Sequence, residues 1–320
     1  MTKLNIVEAL NLALSQEMEK DESILVLGED VGVDGGVFRV TDGLIKKFGK
    51  DRVIDTPLAE SGIVGTSVGL AVNGFKPIAE IQFSGFTYPA VDQIISHVSR
   101  IRNRSRGRFS CPMVIRTPYG GGIRALEHHS ESMENIYVHI PGLKVVIPAT
   151  PSDAKGLLIS AIRDPDPVIF YEPKRIYRAI KEEVKEESYT IPIGKAKIVR
   201  EGDKVTVISW GAMVRECEEA ADKVNGCEII DLRTLKPLDI ETIEKSVKKT
   251  GRVVVVHEAP KTSGFGAEIS ALINERCILN LKAPVKRVTG FDVIFPYAKN
   301  EKKYLPDERI INGIKEVMSF

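Results

Sequence analysis

Apolar residues recur along the start of the chain with the spacing of an α-helix. Val7, Leu10 and Leu14 fall on one face of a segment that we expect to be helical over residues 5–20. Short apolar runs then alternate with helical segments. The strands that this pattern predicts are residues 24–27, 52–55, 76–81, 113–116, 144–147 and 168–171. Such alternation predicts a mainly parallel sheet with helices on both faces.

A second alternating set follows the charged and poorly periodic segment 181–190, which we interpret as a linker. Its predicted strands are 205–209, 228–231, 253–257 and 285–288, and its predicted helices are 214–224, 240–248, 266–278 and 307–318. We therefore expect an α/β protein with two domains, residues 1–185 and 186–320, each built on a mainly parallel sheet.

The near-zero net charge of the chain limits the kinds of partner that it is expected to bind. The 320 residues include 45 basic and 44 acidic side chains, a formal net charge of +1, which disfavours nucleic acid or a membrane surface as the main partner. Every second residue from 100 to 108 is an arginine, which we interpret as a solvated helix end or a subunit contact. The four cysteines form no CxxC pair, as expected for reduced thiols of a cytoplasmic protein.

Polar residues stand at the carboxyl ends of three predicted strands. Gln82 follows one strand directly, Glu29 follows another after Gly28, and Glu60 lies just past a third, in a glycine-rich helical segment. In an open parallel sheet, ligands bind in the crevice beyond these strand ends. Glu60 has no lysine or arginine close in sequence, so it is a candidate functional carboxylate. The alternative is that Glu60 only complements the dipole of its helix.

Two adjacent histidines, His128 and His129, offer acid–base chemistry. Neighbouring side chains point in different directions and no third ligand has a suitable spacing, so a metal site with Glu131 is disfavoured. One histidine facing a cleft as an acid or base is a better interpretation, and a hydrogen-bonded loop histidine is the alternative. We interpret His257, at the end of a predicted strand, as structural.

A GxSxG pattern surrounds Ser67. A hydrolase nucleophile would need a sharp turn directly after a strand, whereas Ser67 falls inside a predicted helix. Small residues there favour close helix packing, and a serine hydrolase is a minor alternative. No GxGxxG segment follows a strand and no GxxxxGK[ST] segment occurs, so neither a dinucleotide-binding fold nor a P-loop is supported.

Six segments share an order and spacing with one known family. They are Gly28-Glu29-Asp30, Ile54-Asp55-Thr56-Pro57 with Glu60, Glu80-Ile81-Gln82-Phe83, His129-Ser130, Pro141-Gly142-Leu143-Lys144-Val145 and Asp231-Leu232-Arg233-Thr234. Over nearly its whole length the chain resembles the beta subunit of the thiamine-diphosphate-dependent decarboxylase component of 2-oxoacid dehydrogenase complexes. The branched-chain member looks closest, partly because Gln82 stands where pyruvate-type members tend to carry methionine.

The resemblance implies a transketolase-like pyrimidine-binding domain followed by a transketolase C-terminal-like domain. It implies that Glu60 exchanges a proton or hydrogen bond with the aminopyrimidine ring of thiamine diphosphate, and that Phe86 lies on that ring. His129 would face the reacting carbon, in proton transfer or in passing the acyl group to lipoamide. Glu29 and Gln82 would complete the cofactor-binding residues. A structural potassium ion is implied near Ala161, Ile162, Asp164 and Asp166.

The second half of the cofactor site is absent from the sequence. Diphosphate binding in this superfamily uses a glycine-aspartate-glycine motif and a later asparagine pair, which anchor magnesium. Here Lys204 follows Gly202-Asp203, and no Asn-Asn pair occurs. The resemblance therefore implies an obligate alpha subunit that holds magnesium, and an α2β2 heterotetramer with cofactors at the alpha–beta interface.

The function implied by the resemblance is oxidative decarboxylation of branched-chain 2-oxoacids such as 3-methyl-2-oxobutanoate. The acyl group would pass to the lipoyl groups of an acyltransferase core, on which the second domain would dock. Two alternatives stay open. One is the beta subunit of a pyruvate or acetoin dehydrogenase, and the other is a non-catalytic scaffold subunit that has kept the fold.

Overall fold

The computed structural model describes residues 1–320 and contains three sheets. The strands are β1 (Thr2–Leu4), β2 (Ile24–Gly28), β3 (Val53–Asp55), β4 (Lys76–Glu80), β5 (Val114–Tyr119), β6 (Lys144–Val146), β7 (Val168–Pro173), β8 (Glu182–Val184), β9 (Lys197–Arg200), β10 (Val205–Ser209), β11 (Cys227–Asp231), β12 (Thr234–Lys236), β13 (Val253–Val256) and β14 (Lys286–Val288). Six strands of the first half form a parallel sheet, as the sequence predicts.

The helices cover both faces of the two large sheets. They are α1 (Ile6–Lys20), α2 (Leu44–Phe48), α3 (Glu60–Val72), α4 (Val91–Gln93), α5 (Ile101–Arg104), α6 (Glu134–His139), α7 (Pro151–Arg163), α8 (Ala212–Ala221), α9 (Ile240–Thr250), α10 (Phe265–Cys277), α11 (Ala298–Tyr304) and α12 (Ile310–Met318). None of them combines the length and the apolar character that crossing a membrane requires.

The first helix shows how local sequence sets an element boundary. The Asn5 side chain accepts a hydrogen bond from the Glu8 amide, and the Glu8 carboxylate accepts one from the Asn5 amide. This reciprocal pair satisfies two amides at the start of α1 and fixes its first turn. The predicted helix over residues 5–20 is therefore confirmed almost to the residue.

The first large sheet has the strand order β12-β6-β7-β5-β4-β2-β3. Strands β2, β3 and β4 are neighbours, with β2 in the middle, so their carboxyl ends open on one crevice. Side chains alternate between two cores on opposite faces: Val26, Ile78 and Val114 lie in one, and Leu27, Ala79 and Ile115 in the other. This alternation follows the period of a strand buried on both faces.

The second sheet has the order β14-β13-β10-β11-β9 and is parallel except for β9. The predicted parallel strands of this half are confirmed within two residues at their ends. The antiparallel edge strand β9 and the short strand β12 were not predicted. Both are too short and too mixed in character to show a period.

Two segments differ from the sequence-based expectation. The sequence predicts a helix over residues 91–101, and in the structure a π-helical turn at Ile94–Val98 interrupts it. The predicted linker contains β8, which pairs antiparallel with β1 at the start of the chain, where we expected direct entry into a helix. Lys155 also donates to the carbonyls of Lys185, Glu186 and Glu187, so part of this connection is bound to the first half.

The two halves share structure. Strand β12, from the second half of the sequence, pairs antiparallel with β6 and extends the first sheet. Both large apolar cores include residues from both halves: Val207 and Val254 lie in one core with Val26, and Ile208 and Val255 in the other with Leu27. The contact between the halves is therefore apolar and continuous.

Candidate active site at the strand ends

The crevice at the ends of β3, β2 and β4 brings together three of the predicted site residues. Glu29 follows β2, Gln82 comes two residues after the end of β4, and Glu60 begins α3 after β3. The loops that carry them are tied to one another. Asp55 accepts hydrogen bonds from the amides of Gly32 and Val33, and Gln82 Nε2 donates to Asp30 Oδ2 at 3.0 Å.

Glu60 is the first residue of α3, and its side chain is only 9% exposed. No hydrogen bond or ion pair within the chain involves its carboxyl group, although the neighbouring amides at the helix start favour negative charge there. The residue is buried as a whole, but neither carboxylate oxygen is completely enclosed by the protein. Glu60 is therefore available to a ligand in the crevice.

Glu29 lies close enough to Glu60 for the two carboxyl groups to interact. Burial raises the pKa of Glu29, and the negative charges of Glu60 and Asp30 raise it further. A ring that carries both a hydrogen-bond donor and a basic nitrogen would suit this pair.

Aromatic rings form the neighbouring part of the site. The ring centroid of His129 lies 4.4 Å from that of Phe83 and 5.1 Å from that of Phe86, both edge-on. Phe83 is buried, whereas Phe86 is half-buried and able to offer a face to a planar ligand. These residues come from the segment after β4 and from the short helical turn Glu127–His129.

The segment with the two histidines is packed closely against the loop after β4. Ser84 Oγ donates to the Glu131 carbonyl at 2.8 Å, and a Cβ on Gly85 would lie 2.3 Å from the His128 carbonyl oxygen. Tyr88 donates to the Glu131 carboxylate, beside which the exposed His128 lies. His129 Nδ1 is buried and has no hydrogen-bond partner in the chain. His129, rather than His128, therefore has a polar atom without a hydrogen-bond partner, which indicates that His129 is the histidine that binds a ligand.

A buried network of charged side chains lies on the strands that lead into these loops. Arg116 donates to Glu80 and to Glu172, both at 2.7 Å, and Tyr177 donates to Glu172 at 2.6 Å. All four side chains are buried. Sequence analysis missed this network, although the mainly apolar strands β4, β5 and β7 contain the charged residues Glu80, Arg116 and Glu172. Isolated charges on adjacent buried strands are a signal for pairing.

Other sequence candidates fall outside the crevice. Ser67 is fully buried within α3 and donates to the Ile63 carbonyl at 2.8 Å, so it is not an exposed nucleophile. His257 is fully buried and stacks on Trp210, and burial lowers its pKa to about 3. Gly202 and Asp203 lie just before β10, at the amino end of a strand, which is the wrong end for a ligand in a parallel sheet.

The loop proposed for potassium has its carboxylates already paired. Lys144 Nζ lies 2.7 and 2.6 Å from the two oxygens of Asp164, and Arg102 pairs with Asp166. The Ala161 carbonyl accepts the Asp164 amide. No group of three or more histidine, cysteine or acidic residues is arranged for a metal. The side chains therefore do not fit a cation here, and the potassium ion stays a prediction that would have to rest on main-chain oxygens.

Comparison with known families matches both halves of the chain. Residues 2–180 match the family described as transketolase, pyrimidine binding domain, and residues 194–311 match transketolase, C-terminal domain. The chain is 56% identical over 322 residues to the "Pyruvate dehydrogenase E1 component subunit beta" of Acholeplasma laidlawii, covering 99% of this chain and 98% of that protein. The chain belongs to the family of E1 beta subunits of 2-oxoacid dehydrogenases.

Two further comparisons agree with this assignment. The beta subunit is 50% identical to the "Pyruvate dehydrogenase E1 component subunit beta" of Bacillus subtilis (strain 168), over the full length of both proteins. Among solved structures it is similar to a "Split gene transketolase, inactive beta4 tetramer", with a TM-score of 0.81, 22% identity and 99% of each chain covered. That likeness confirms the transketolase-like fold.

Proteins of this family depend on thiamine diphosphate, and the crevice of the beta subunit fits the pyrimidine half of that cofactor. The fit rests on the unpartnered Glu60 carboxyl group, the half-buried Phe86 ring and the orphaned His129 Nδ1 atom. A planar heterocycle with ring nitrogens and an amino group would suit Glu60 and Phe86, which leaves His129 for the rest of the ligand.

Proposed function

We propose that the beta subunit forms half of a thiamine-diphosphate-dependent decarboxylase that acts on pyruvate and passes the acetyl group to lipoyl groups. The observation that carries this proposal is the convergence of Glu60, Glu29 and the Phe86–His129 pair at one end of a parallel sheet. The pyruvate assignment is supported by the names of its relatives, which are 50–56% identical over nearly the full chain.

Each residue has a role that its surroundings support. Glu60 holds or delivers a proton at a ring nitrogen of the pyrimidine, because its buried carboxyl group has no other partner. Phe86 packs on the ring and fixes its orientation. His129 offers a ring nitrogen to the reacting end of the ligand. When bound, thiamine diphosphate supplies the electron sink for loss of carbon dioxide.

The diphosphate and magnesium are assigned to an alpha subunit. The one Gly-Asp pair that resembles part of a diphosphate motif lies at the amino end of β10, away from any strand-end crevice. Apolar side chains at the rim of the crevice support a partner there: Val33 is 83% exposed and Leu58 is 79% exposed. We infer an α2β2 assembly in which the alpha subunit covers this rim and supplies the second half of the site.

The expectation of a branched-chain substrate is revised. It rested partly on Gln82, whose amide is held by Asp30 in the structure. Relatives that carry the pyruvate name at 50% identity or more favour pyruvate. 3-Methyl-2-oxobutanoate is the alternative substrate that a direct comparison separates.

The proposal is tested by measuring 2-oxoacid-dependent reduction of an artificial electron acceptor, with thiamine diphosphate and magnesium present. The beta subunit is assayed alone and then with the alpha subunit expressed alongside it, on pyruvate and on 3-methyl-2-oxobutanoate. We expect activity only in the mixture and a higher kcat/KM for pyruvate.

Each of the other outcomes has a distinct meaning. A preference for 3-methyl-2-oxobutanoate would restore the branched-chain assignment. Activity of the beta subunit alone would disprove the split diphosphate site. Assembly with the alpha subunit but no turnover of any 2-oxoacid would favour a scaffold subunit that has kept the fold.

A further inference from the structure

The glycine-rich loop after β5 is held by residues of the second domain. The Glu301 carboxylate, from α11, accepts hydrogen bonds from the amide of Gly122 at 2.8 Å and from the amide of Arg124 at 3.1 and 3.2 Å. The Glu258 carboxylate, just after β13, accepts one from the amide of Gly121 at 2.8 Å. Two buried carboxylates thus bind three nearly consecutive backbone amides.

The loop is glycine-rich because its neighbours leave no room for side chains. A Cβ on Gly120 would lie 2.7 Å from the Glu258 carboxylate, one on Gly121 would lie 2.5 Å from the ring of Phe295, and one on Gly122 would lie 2.5 Å from Arg175. Gly120 and Gly122 also have positive φ angles, of 82° and 90°, a conformation that glycine adopts freely. Gly120 and Gly121 therefore let side chains of the second domain contact the loop backbone itself, and Gly122 leaves room for Arg175 of the first domain.

Two basic side chains of the first domain, Lys174 and Arg175, lie near these carboxyl groups. Lys174 is buried and donates to the Gly120 carbonyl, and the negative charges of Glu258 and Glu301 are close enough to act on it. Burial nevertheless lowers the pKa of Lys174 to about 7. Hydrogen bonds to a charged group are stronger than neutral ones, so this arrangement holds the loop firmly.

The loop leads directly to His129. The Gly120 amide donates to the Glu131 carbonyl at 3.1 Å, so residues 120–131 form a loop that is closed at its base. Ser84 holds the base of this loop, at Glu131, and Glu301 holds its other side, at Gly122 and Arg124. His129 lies between these two attachments, and its ring has no hydrogen bond of its own at Nδ1. Its position therefore depends on the backbone at both sides.

We propose that Glu301 is a positioning residue for His129, acting from the second domain through the backbone amides of Gly122 and Arg124. The inference rests on the proposed function, because it gives His129 a place in the reaction. It assigns the second domain a part in arranging the active site of its own chain, in addition to subunit assembly. Glu258 makes the same kind of contact with the amide of Gly121.

The test combines amide hydrogen exchange with kinetics on the assembled alpha–beta enzyme. In the Glu301→Ala variant we expect exchange in residues 120–131 to become roughly ten- to a hundredfold faster, because two charge-assisted hydrogen bonds are lost. Glu301→Gln keeps one acceptor oxygen and should fall between the parent and the alanine variant. Exchange of the core strand β10 should not change, which would show that the fold is intact.

The kinetic part asks whether Glu301 acts through His129. Glu301→Gln should lower kcat at least tenfold in the parent, but less than twofold when His129 is already replaced by alanine, because residues that act as a unit are not additive. The matched control is Glu308→Gln, an identical change at an exposed residue four positions beyond α11, which should alter neither exchange nor kcat. Gly121→Ala places a methyl group against Phe295, beside the amide that Glu258 holds, and should also make exchange of the loop faster.

Two results would overturn the inference: unchanged exchange of residues 120–131 in Glu301→Ala, or kinetic losses of Glu301→Gln and His129→Ala that simply multiply. Full activity of His129→Ala would also overturn it, because His129 would then have no place in the reaction. Failure of the proposed function gives a different result, namely no turnover of any 2-oxoacid by the assembled parent enzyme. Exchange does not depend on turnover, so it separates the two failures.

Discussion

Glu60 and Glu22 have the same side chain, but the chain places them in opposite surroundings. Glu22 lies exposed in the turn after α1, whereas Glu60 is buried at the first residue of α3 and has no partner in the chain. The carboxyl group of Glu60 is therefore available to a ligand, whereas that of Glu22 is solvated. The environment of each carboxyl group, more than its identity, decides its chemistry.

We predict that Glu60→Gln lowers the turnover of the alpha–beta enzyme by about 10²- to 10⁴-fold, the usual range for loss of a group that transfers a proton. The amide keeps the size of the side chain but cannot carry the proton. Glu22→Gln, the matched control, should stay within twofold of the parent. Steady-state assays and analytical gel filtration would show lost activity with unchanged assembly, and near-parental activity of Glu60→Gln would contradict the role.

His257 illustrates a residue whose burial matters for stability. Its ring stacks on Trp210 with centroids 5.3 Å apart, both ring nitrogens lack partners, and close approach is allowed by Gly264 and Gly266. Burial, with a smaller contribution from Arg287, lowers its pKa from 6.5 to about 3. The sequence-based interpretation of His257 as structural agrees with this placement.

A pH dependence follows for His257. Between about pH 6.5 and 3 the unfolded chain binds a proton on this residue and the folded chain does not, so stability falls as the pH is lowered. The cost is about 1.4 kcal/mol per pH unit, or about 2 kcal/mol between pH 6.5 and 5. We therefore expect His257→Asn to gain about 2 kcal/mol relative to the parent on going from pH 7 to pH 5.

Urea unfolding at the two pH values measures this change, and His139→Asn, at an exposed histidine, provides the control. A stability difference between His257→Asn and the parent that does not vary with pH would show that His257 is not held neutral in the folded chain.

At the scale of elements, three adjacent strands combine to form a charge network that none of them could hold alone. Strands β4, β5 and β7 contribute Glu80, Arg116 and Glu172, and parallel register places Arg116 opposite Glu80. The same strand ends carry the loops of the active site. Correct pairing of these strands is therefore required both for charge balance and for the position of Gln82 and Phe83.

We predict that Arg116→Met destabilises the chain by about 3–5 kcal/mol, because it leaves two buried carboxylates without their cation. Methionine has a similar length and fills much of the space, so the loss reports mainly on charge. Arg100→Met, at an exposed arginine near α5, should change stability by less than about 0.5 kcal/mol. Chemical denaturation of both variants gives the comparison, and equal effects would contradict the network.

At the scale of the whole molecule, the two sequence-defined halves are not independent. Strand β12 completes the first sheet from the second half, both apolar cores cross the boundary, and Glu258 and Glu301 hold a loop of the first half. The predicted boundary near residue 185 marks where the chain passes from one sheet to the other. It does not mark a separation of the cores.

We accordingly predict that a fragment of residues 1–186 will not fold stably. Removing the second half exposes the edge of β6 and the apolar residues that pack against both cores, and such surfaces lead to aggregation. Circular dichroism during heating should show no cooperative transition for the fragment, in contrast to the full chain. A sharp transition in the fragment would show that the first half is an autonomous domain.

Much of the fold was predictable because it is encoded locally. The apolar period of residues 5–20 predicted α1, and the apolar runs identified the central parallel strands. Short elements such as β12 and α6 escaped prediction, because they have too few residues to show a period. The π-helical turn within residues 94–98 also leaves no clear pattern in the sequence.

The sequence by itself determined the α/β class, the order of the central elements and, through motifs at strand ends, the family to which the chain belongs. Only the tertiary structure decided which polar residues meet. Arg116 pairs with carboxylates 36 and 56 positions away, and Glu301 holds amides 177 and 179 positions away. Local preferences act over a few residues, whereas such pairs depend on strand register and on how the two sheets pack.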